Sequence, residues 1–420
     1  MNFNRRQFLS QAALFSAGLA LPKAIKAQTA TPRVLVIGGG FGGATVAKYL
    51  KLWGGNLDVT LIDRNPNHYA CILSNLVVTG ALKIDRIRLG YENLQSKRGV
   101  RFEQGEALAV DPDAKEVTIQ IGSTRYAYSY DKLVLSPGVD FINPNGNYDP
   151  DLTPHAWKAG PQTLLLNKML SSMKAKQTYV LTIPKSPYRC PPGPYERACA
   201  VADYLKRKKK GGKIVVLDAN PSIQAEPVNF GNAFKNLYKG ILTYVPNAPI
   251  ISVDSKANSV ATPVGTFRGA VVNVIPNHRA GQIVTDAGLN NDPTGRWAVV
   301  NPLNYSSTIH PDIHILGDSQ GTGLPKSGHM ANSQAKVCAD AIIRSFNGED
   351  PDPNPVTASA CFSPITSKTA SWLTASYRYD AASGTMKRVD ASFAEAPKPT
   401  SDGMQQMFQW ANNIFADSFG

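Results

Sequence analysis

Two patterns in this sequence have the residue types for chemistry. One is a glycine run, Gly38-Gly39-Gly40-Phe41-Gly42-Gly43-Ala44, and the other is a set of five cysteines, Cys71, Cys190, Cys199, Cys338 and Cys361. The run fits G-x-G-x-x-G, a loop that lets backbone meet a pyrophosphate. Gly38 makes the tight turn, Gly40 allows the close approach, and Gly43 allows a helix to lie hard against a strand. Asp63 stands about twenty residues past the last glycine, where a carboxylate receives ribose hydroxyls; Arg64 follows it and is counted in the same cofactor set. Cysteine offers different chemistry, a thiolate as nucleophile or a disulfide as electrophile. An odd number in an oxidising compartment leaves at least one unpaired, or bonded to something other than cysteine.

Such residues need particular elements to hold them. Arg33-Val34-Leu35-Val36-Ile37 reads as a strand entering the glycine run, residues 45–52 as the helix after it, and Asp58-Val59-Thr60-Leu61-Ile62 as a strand ending at Asp63. The helix start then offers unpaired N–H groups to an anion. Two later strands complete the unit. Lys132-Leu133-Val134-Leu135 runs into Ser136-Pro137-Gly138, and Ile313-His314-Ile315-Leu316 ends in Gly317-Asp318 ahead of a helix from about residue 331. A carboxylate at a strand end accepts hydroxyl hydrogen bonds. Together these resemble the two-dinucleotide-fold flavoproteins, in which such a Gly-Asp contacts the ribityl chain of FAD.

From about residue 177 the pattern starts again, with strands over 178–183 and 213–218 around a helix over 195–210. The loop between the first strand and the helix is Pro184-Lys185-Ser186-Pro187-Tyr188-Arg189-Cys190-Pro191-Pro192-Gly193-Pro194. Crowded with proline and holding one glycine, it lacks the free N–H groups a pyrophosphate requires. NAD(P)H is therefore not expected as electron donor. Cys190 sits in this stiff loop, and rigid placement suits a reactive centre facing a flavin. The expected fold is α/β: two Rossmann-like dinucleotide-binding folds of the glutathione-reductase-like, FAD/NAD(P) type, plus a C-terminal α+β interface domain. The boundaries are 30–150 with 276–347 for the FAD-binding domain, 151–275 for the second, and 348–420 for the last.

Residues 1–27 read as an address. Asn4-Arg5-Arg6-Gln7-Phe8-Leu9 is a twin-arginine pattern followed by an apolar stretch over 12–21, which implies export of a folded protein to the periplasm. The whole chain of 420 residues carries a formal charge of +13. Arg5, Arg6, Lys23 and Lys26 supply four of those charges, leaving a positive field that suits anionic substrates, an acidic partner, or plain solubility. The run Lys206-Arg207-Lys208-Lys209-Lys210 reads as a solvated helix end, with no nucleic-acid motif near it. Nothing after the leader is long and apolar enough to cross a membrane. No metal-ligand set is assigned. No C-x-x-C-H haem signal occurs, so this chain is not itself a c-type cytochrome.

Several longer strings resemble the flavoprotein subunit of flavocytochrome c sulfide dehydrogenase. They are His68-Tyr69-Ala70-Cys71-Ile72-Leu73-Ser74-Asn75, Pro154-His155-Ala156-Trp157-Lys158-Ala159-Gly160, Tyr188-Arg189-Cys190-Pro191-Pro192-Gly193-Pro194-Tyr195-Glu196-Arg197, Pro325-Lys326-Ser327-Gly328 and Trp410-Ala411-Asn412-Asn413-Ile414. The resemblance implies a thioether from Cys71 to the 8α-methyl of FAD and a redox-active disulfide between Cys190 and Cys361. It places Gly138, Gly317, Asp318 and Lys326 with the cofactor, Glu196 near the disulfide as a proton carrier, and Trp410 near the flavin. The implied substrate is hydrosulfide, and the implied partner a c-type cytochrome subunit in a heterodimer. From the residues alone other roles stay open: a merely stabilising Cys190–Cys361 bridge, a solvated Glu196 in a first helical turn, and Trp410 as a core anchor at helical spacing with Met407 and Ile414. Cys199 and Cys338 fall in expected helices and read as buried thiols. The nearest alternative activity is that of a sulfide:quinone oxidoreductase, for which 404–419 is the candidate membrane-facing helix. An NAD(P)H-dependent flavin reductase and a non-catalytic flavin-bearing subunit are more distant alternatives.

Overall fold

A near-continuous run of β-branched and leucine residues after Pro32 forces the first strand inside the molecule. In the computed structural model, which describes residues 31–208 and 211–420, Val34, Leu35, Val36 and Ile37 are all buried. The leader read over 1–27, and Lys209 and Lys210 of the basic run, lie outside the described residues.

Strand β1 (Arg33–Ile37) is followed by helix α1 (Phe41–Trp53), strand β2 (Asp58–Asp63), helix α2 (Ser74–Val78), strand β3 (Arg101–Gln104) and strand β4 (Lys132–Leu135). Helix α1 begins ahead of the expected residue 45 because Gly42 and Gly43 are themselves helical. The chain leaves this unit along Val139–Ile142 and returns along Asn277–Ala280, the two segments pairing antiparallel. Between them lies a second parallel sheet. It is built from β5 (Thr178–Ile183), β6 (Lys213–Asp218), β7 (Leu242–Val245) and β8 (Val271–Asn273), in the order β7-β6-β5-β8. Helix α3 (Gly193–Lys208) follows β5, and helix α4 (Pro227–Asn232) continues into a π-helical turn over Ala233–Leu237.

Strand β9 (Ile313–Ile315) returns to the first sheet beside β4, giving the all-parallel order β9-β4-β1-β2-β3. Parallel strands buried on both faces need apolar residues without alternation, which is how the central strands β1 and β4 read, while the edge strand β3 is polar and partly exposed. Helix α5 (Gly328–Phe346) starts at Ser327, whose hydroxyl accepts the N–H of Met330 at 3.1 Å.

The last part of the chain is an antiparallel sheet, β10 (Val356–Pro364), β11 (Ala370–Asp380) and β12 (Thr385–Arg388), with β13 (Ala394–Glu395) also on β11. It ends in helix α6 (Ser401–Phe419), capped by Thr400 accepting the N–H of Gly403 at 2.9 Å. Lys48 of α1 donates to the terminal carbonyls of Ala416 and Asp417, so α6 is tied to the helix of the glycine run. Pro32–Gly420 is one compact unit. Among the described residues, no helix is long and apolar enough to cross a membrane.

Candidate active site

The glycine run folds as its spacing requires. Gly38 has φ +97°, and a Cβ there would sit 2.4 Å from the carbonyl oxygen of Ser136; one on Gly43 would sit 1.8 Å from that of Gly38. Neither position tolerates a side chain. Gly40 caps α1 without a side-chain partner, leaving the helix start for a ligand. Asp63 closes β2 and accepts the N–H of Gly39 at 2.7 Å and that of Asn65 at 2.8 Å, which ties the loop to the strand end. Oδ1 also accepts the Asn65 side-chain amide at 3.2 Å, so the capacity left for a hydroxyl is on Oδ2. Arg64 instead points outward to Glu106 at 3.4 Å, both side chains well exposed.

The opposite wall comes from the ends of β4 and β9. Gly138, at φ +74°, accepts the Ser319 hydroxyl at 2.5 Å, and Gly317, at φ +72°, donates its N–H to Gln334 at 2.9 Å. Asp318 is buried with Oδ1 lacking a partner among the described residues, and burial pushes its pKa up while Arg189 and Lys326 oppose the shift. The Arg189 guanidinium likewise has Nε and one terminal nitrogen buried and unpaired. Such groups are rare unless something supplies their bonds. A glycine cradle with an orphaned acid and guanidinium fits a dinucleotide with a polar ring system. Lys326, also buried, donates to the carbonyls of Asp318 at 3.0 Å and Gln320 at 2.5 Å and lies 3.7 Å above the Trp297 ring. Burial lowers its pKa to about 8.

Three of the five cysteines meet in one cavity. Cys71, Cys190 and Cys361 line it with Glu196, His329 and Trp410. Cys71 precedes α2, and its carbonyl accepts the Ser74 hydroxyl at 2.7 Å. Cys190 sits at φ +61°, a conformation costly for a residue with a side chain. Its N–H bonds Lys326 at 2.7 Å and its carbonyl accepts Gly193 at 2.9 Å. The neighbouring Arg189 is pinned through its N–H to His278 at 2.9 Å and its carbonyl to the Trp157 indole at 3.2 Å. Cys361 lies in β10 opposite Leu373. All five cysteines, which fall among the described residues, are free thiols here; Cys199 and Cys338 are fully buried in α3 and α5. Burial raises the pKa of Cys71, pushes that of Cys361 up to about 12 and raises that of Cys190 well above the ordinary range, with Glu226 and Glu196 adding to the Cys361 shift.

Glu196 is buried in the first turn of α3, not solvated as its helical position also allowed. Burial raises its pKa to about 8, against the Asn75 hydrogen bond and the Arg197 charge, which lower it. Arg197 is fully buried and reaches the side chains of Asn75 and Asn273 and the carbonyls of His155 and Ala156, at 2.6–3.1 Å. Since the Asn75 amide also donates to the Gly193 carbonyl at 3.2 Å, the segments carrying Cys71 and Cys190 are clamped together. Trp410 is half-buried on α6, its ring 5.5 Å from Phe362, while Met407, Ala411 and Ile414 make the buried face. His329, Asn75 and Arg197 are the site residues to which the sequence reading gave no role. His329 adjoins the Pro325–Gly328 string, the one signal that pointed near it.

The second sheet has lost its nucleotide acid to the interior. Asp218, at the end of β6, is fully buried and accepts the hydroxyls of Tyr195 and Tyr244, both at 2.7 Å, and the N–H of Asn220 at 2.9 Å. Two tyrosine hydroxyls thus occupy one of its carboxylate oxygens.

Comparison with known families and proteins agrees with the fold. A family model for the central part of the sulfide dehydrogenase (flavocytochrome c) flavoprotein chain matches residues 163–276, and one for the flavin-binding part of flavocytochrome c sulphide dehydrogenase matches residues 353–419. A pyridine nucleotide-disulphide oxidoreductase model matches residues 32–156. Among similar proteins is a type II NADH:quinone oxidoreductase of Mycobacterium tuberculosis, 24% identical over 77% of this chain and 73% of that one. Another is a mitochondrial sulfide:quinone oxidoreductase of Dictyostelium discoideum, 21% identical over 74% and 70%. The sulfide:quinone oxidoreductase structure from Aquifex aeolicus superposes with a TM-score of 0.75 at 18% identity, covering 93% of this chain and 92% of that one, and so shares the fold.

Proposed function

We propose that this chain, which belongs to the family of flavocytochrome c sulfide dehydrogenase flavoprotein chains, oxidises hydrosulfide in the periplasm and passes the electrons to a c-type cytochrome subunit. It is an FAD-dependent oxidoreductase; the donor, the acceptor and the compartment are the proposal. The observation that carries it is the gathering of Cys190, Cys361, Cys71 and Glu196 around one cavity, in place of the nucleotide loop of the second fold.

In this reading Cys190 and Cys361 cycle between the dithiol and a disulfide. Hydrosulfide attacks the bridge, leaving a persulfide on one cysteine and a thiolate on the other. The left-handed backbone of Cys190 and its bond to Lys326 hold that sulfur in place. Glu196, protonated up to about pH 8, donates or receives a proton beside the pair. Cys71 would hold the flavin covalently, Asp318 would accept its ribityl hydroxyls, and Arg189 would meet negative charge on it. Bound FAD supplies a two-electron sink that releases electrons singly.

Quinone as acceptor is the second reading, favoured by the quinone oxidoreductases among the similar proteins. Helix α6 speaks against it. Its apolar side, Met407, Ala411 and Ile414, is buried, and the side turned outward carries Gln405, Gln406, Gln409, Asn412 and Asn413. A polar outer face suits a soluble partner better than a lipid surface. Export rests on the twin-arginine pattern in residues 1–27. An anaerobic titration of the purified holoprotein tests the reading: sulfide should bleach the flavin and NADH should not. Bleaching by NADH alone would overturn it. Adding a c-type cytochrome or a quinone afterwards identifies the acceptor.

A further inference from the structure

We propose that Glu226 is the outer station of a proton exit from the sulfur cavity, receiving through Glu196 the proton that hydrosulfide releases and returning it to solvent past Glu395. The inference rests on sulfide being the substrate. Oxidation of hydrosulfide to zero-valent sulfur, HS⁻ → S⁰ + H⁺ + 2e⁻, frees one proton for every electron pair. Two haem-type acceptors remove the electrons through the flavin and carry no proton away, so the proton needs a route of its own.

The structure offers one beside the strand that carries Cys361. Cys361 and Ser363 are two residues apart on β10 and so share a face of the strand. The Ser363 hydroxyl, fully buried, donates to Glu226 Oε1 at 2.7 Å. Glu226 is 1% exposed, its Oε2 has no partner among the described residues, and its backbone sits at φ +50°, a strained conformation just before α4. A lone buried carboxylate oxygen is expensive unless it is protonated or transiently paired, which is what a relay group does. The ionisable groups around it are Glu196 and Cys199 from α3, Cys361 from β10 and Glu395 from β13, each close enough for its charge to be felt. The hydroxyls of Ser371 and Ser363 oppose the rise in the Glu226 pKa. Glu395 is half-buried and so meets solvent. Burial raises the pKa of Glu196 and Glu226 alike.

The test compares the wild-type holoprotein with Glu226→Gln. Stopped-flow in weak buffer follows flavin bleaching by sulfide and, with an indicator dye, proton release during turnover with a c-type cytochrome. Bleaching in the first turnover should be retained while proton release slows about tenfold or more. Infrared titration of the oxidised protein without substrate gives a second readout. Removing the Glu226 charge should lower the midpoint of the Glu196 carboxyl band. Unchanged proton release together with an unchanged Glu196 band would overturn the relay. Should Glu226→Gln fail to fold, Ser363→Ala removes the hydroxyl and keeps the carboxylate, and must slow proton release in the same direction. If sulfide fails to bleach even the wild type, the substrate reading falls, while the infrared coupling still reports on the relay.

Discussion

Trp410 donates its indole N–H to Nδ1 of His329 at 3.2 Å. The same nitrogen accepts the backbone N–H of Ala360 at 3.0 Å, next to Cys361. With two donors aimed at it, Nδ1 carries no proton, and the proton of the neutral ring rests on Nε2. One imidazole thus joins α6, the start of α5 and the strand that carries Cys361.

Trp410→Phe keeps the ring and removes the donor. Melting should show a loss of about 1 kcal/mol, the worth of one partly buried hydrogen bond. Burial holds His329 below the ordinary histidine range. Its lowered pKa means stability is present above the unfolded value and is lost as pH falls through the folded one. Freed of the indole, Nδ1 should protonate more readily, so the His329 midpoint followed by NMR should rise in the variant.

The cysteine assignment predicts a thiol count. If Cys71 holds the flavin and Cys190 bridges Cys361, denatured but unreduced protein should expose two thiols, those of Cys199 and Cys338. Reduction should add two. Flavin should stay with the chain in acid and leave it in Cys71→Ala, as seen by fluorescence on a denaturing gel. Four free thiols without reductant would remove the bridge from the mechanism.

Glu196 makes stability depend on pH in a definite direction. Its pKa rises from 4.5 to about 8 on folding because burial disfavours the charge. A raised pKa contributes stability that is complete below the unfolded value and is lost as pH climbs through the folded one. Between about pH 4.5 and 8 the wild type should therefore lose stability relative to Glu196→Gln, measured as denaturation midpoints across that range. The same substitution should remove a limb near pH 8 from the rate of bleaching by sulfide.

Much of this was legible in the chain because some residues are bound by backbone geometry. Gly38 and Gly43 admit no Cβ, so their spacing announces the turn. What distance in sequence hides is different. Glu196 was equally consistent with solvent until α3 was seen to bury its first turn beneath β10. Asp218 ends its strand as Asp63 does, and only its fold partners Tyr195 and Tyr244 show that it is already bonded. Glu226 lies in a stretch with no periodicity, and its meaning comes from Ser363, more than a hundred residues later. Arg64, chosen for its place after Asp63, turns outward because the strand end points its side chain toward Glu106.

Gly193→Ala separates the geometry of Cys190 from the stability of the fold. Gly193 is the first residue of α3, where alanine is the better helix former by about 1 kcal/mol. A Cβ there would nevertheless stand 2.7 Å from Cys190 Sγ and 2.9 Å from the Trp157 ring. The sulfur is the nearer neighbour and ends a short side chain, so it is the atom that moves, while Cys190 itself stays tied to Lys326 through its backbone. The melting temperature should change little, yet the reactive sulfur should be displaced by a sizeable fraction of an ångström. A misplacement on that scale costs up to about a hundredfold in rate. Sulfide-dependent bleaching should slow accordingly while flavin content and thermal stability hold. Wild-type rates in a stable Gly193→Ala protein would mean that Cys190 is not the sulfur whose position matters.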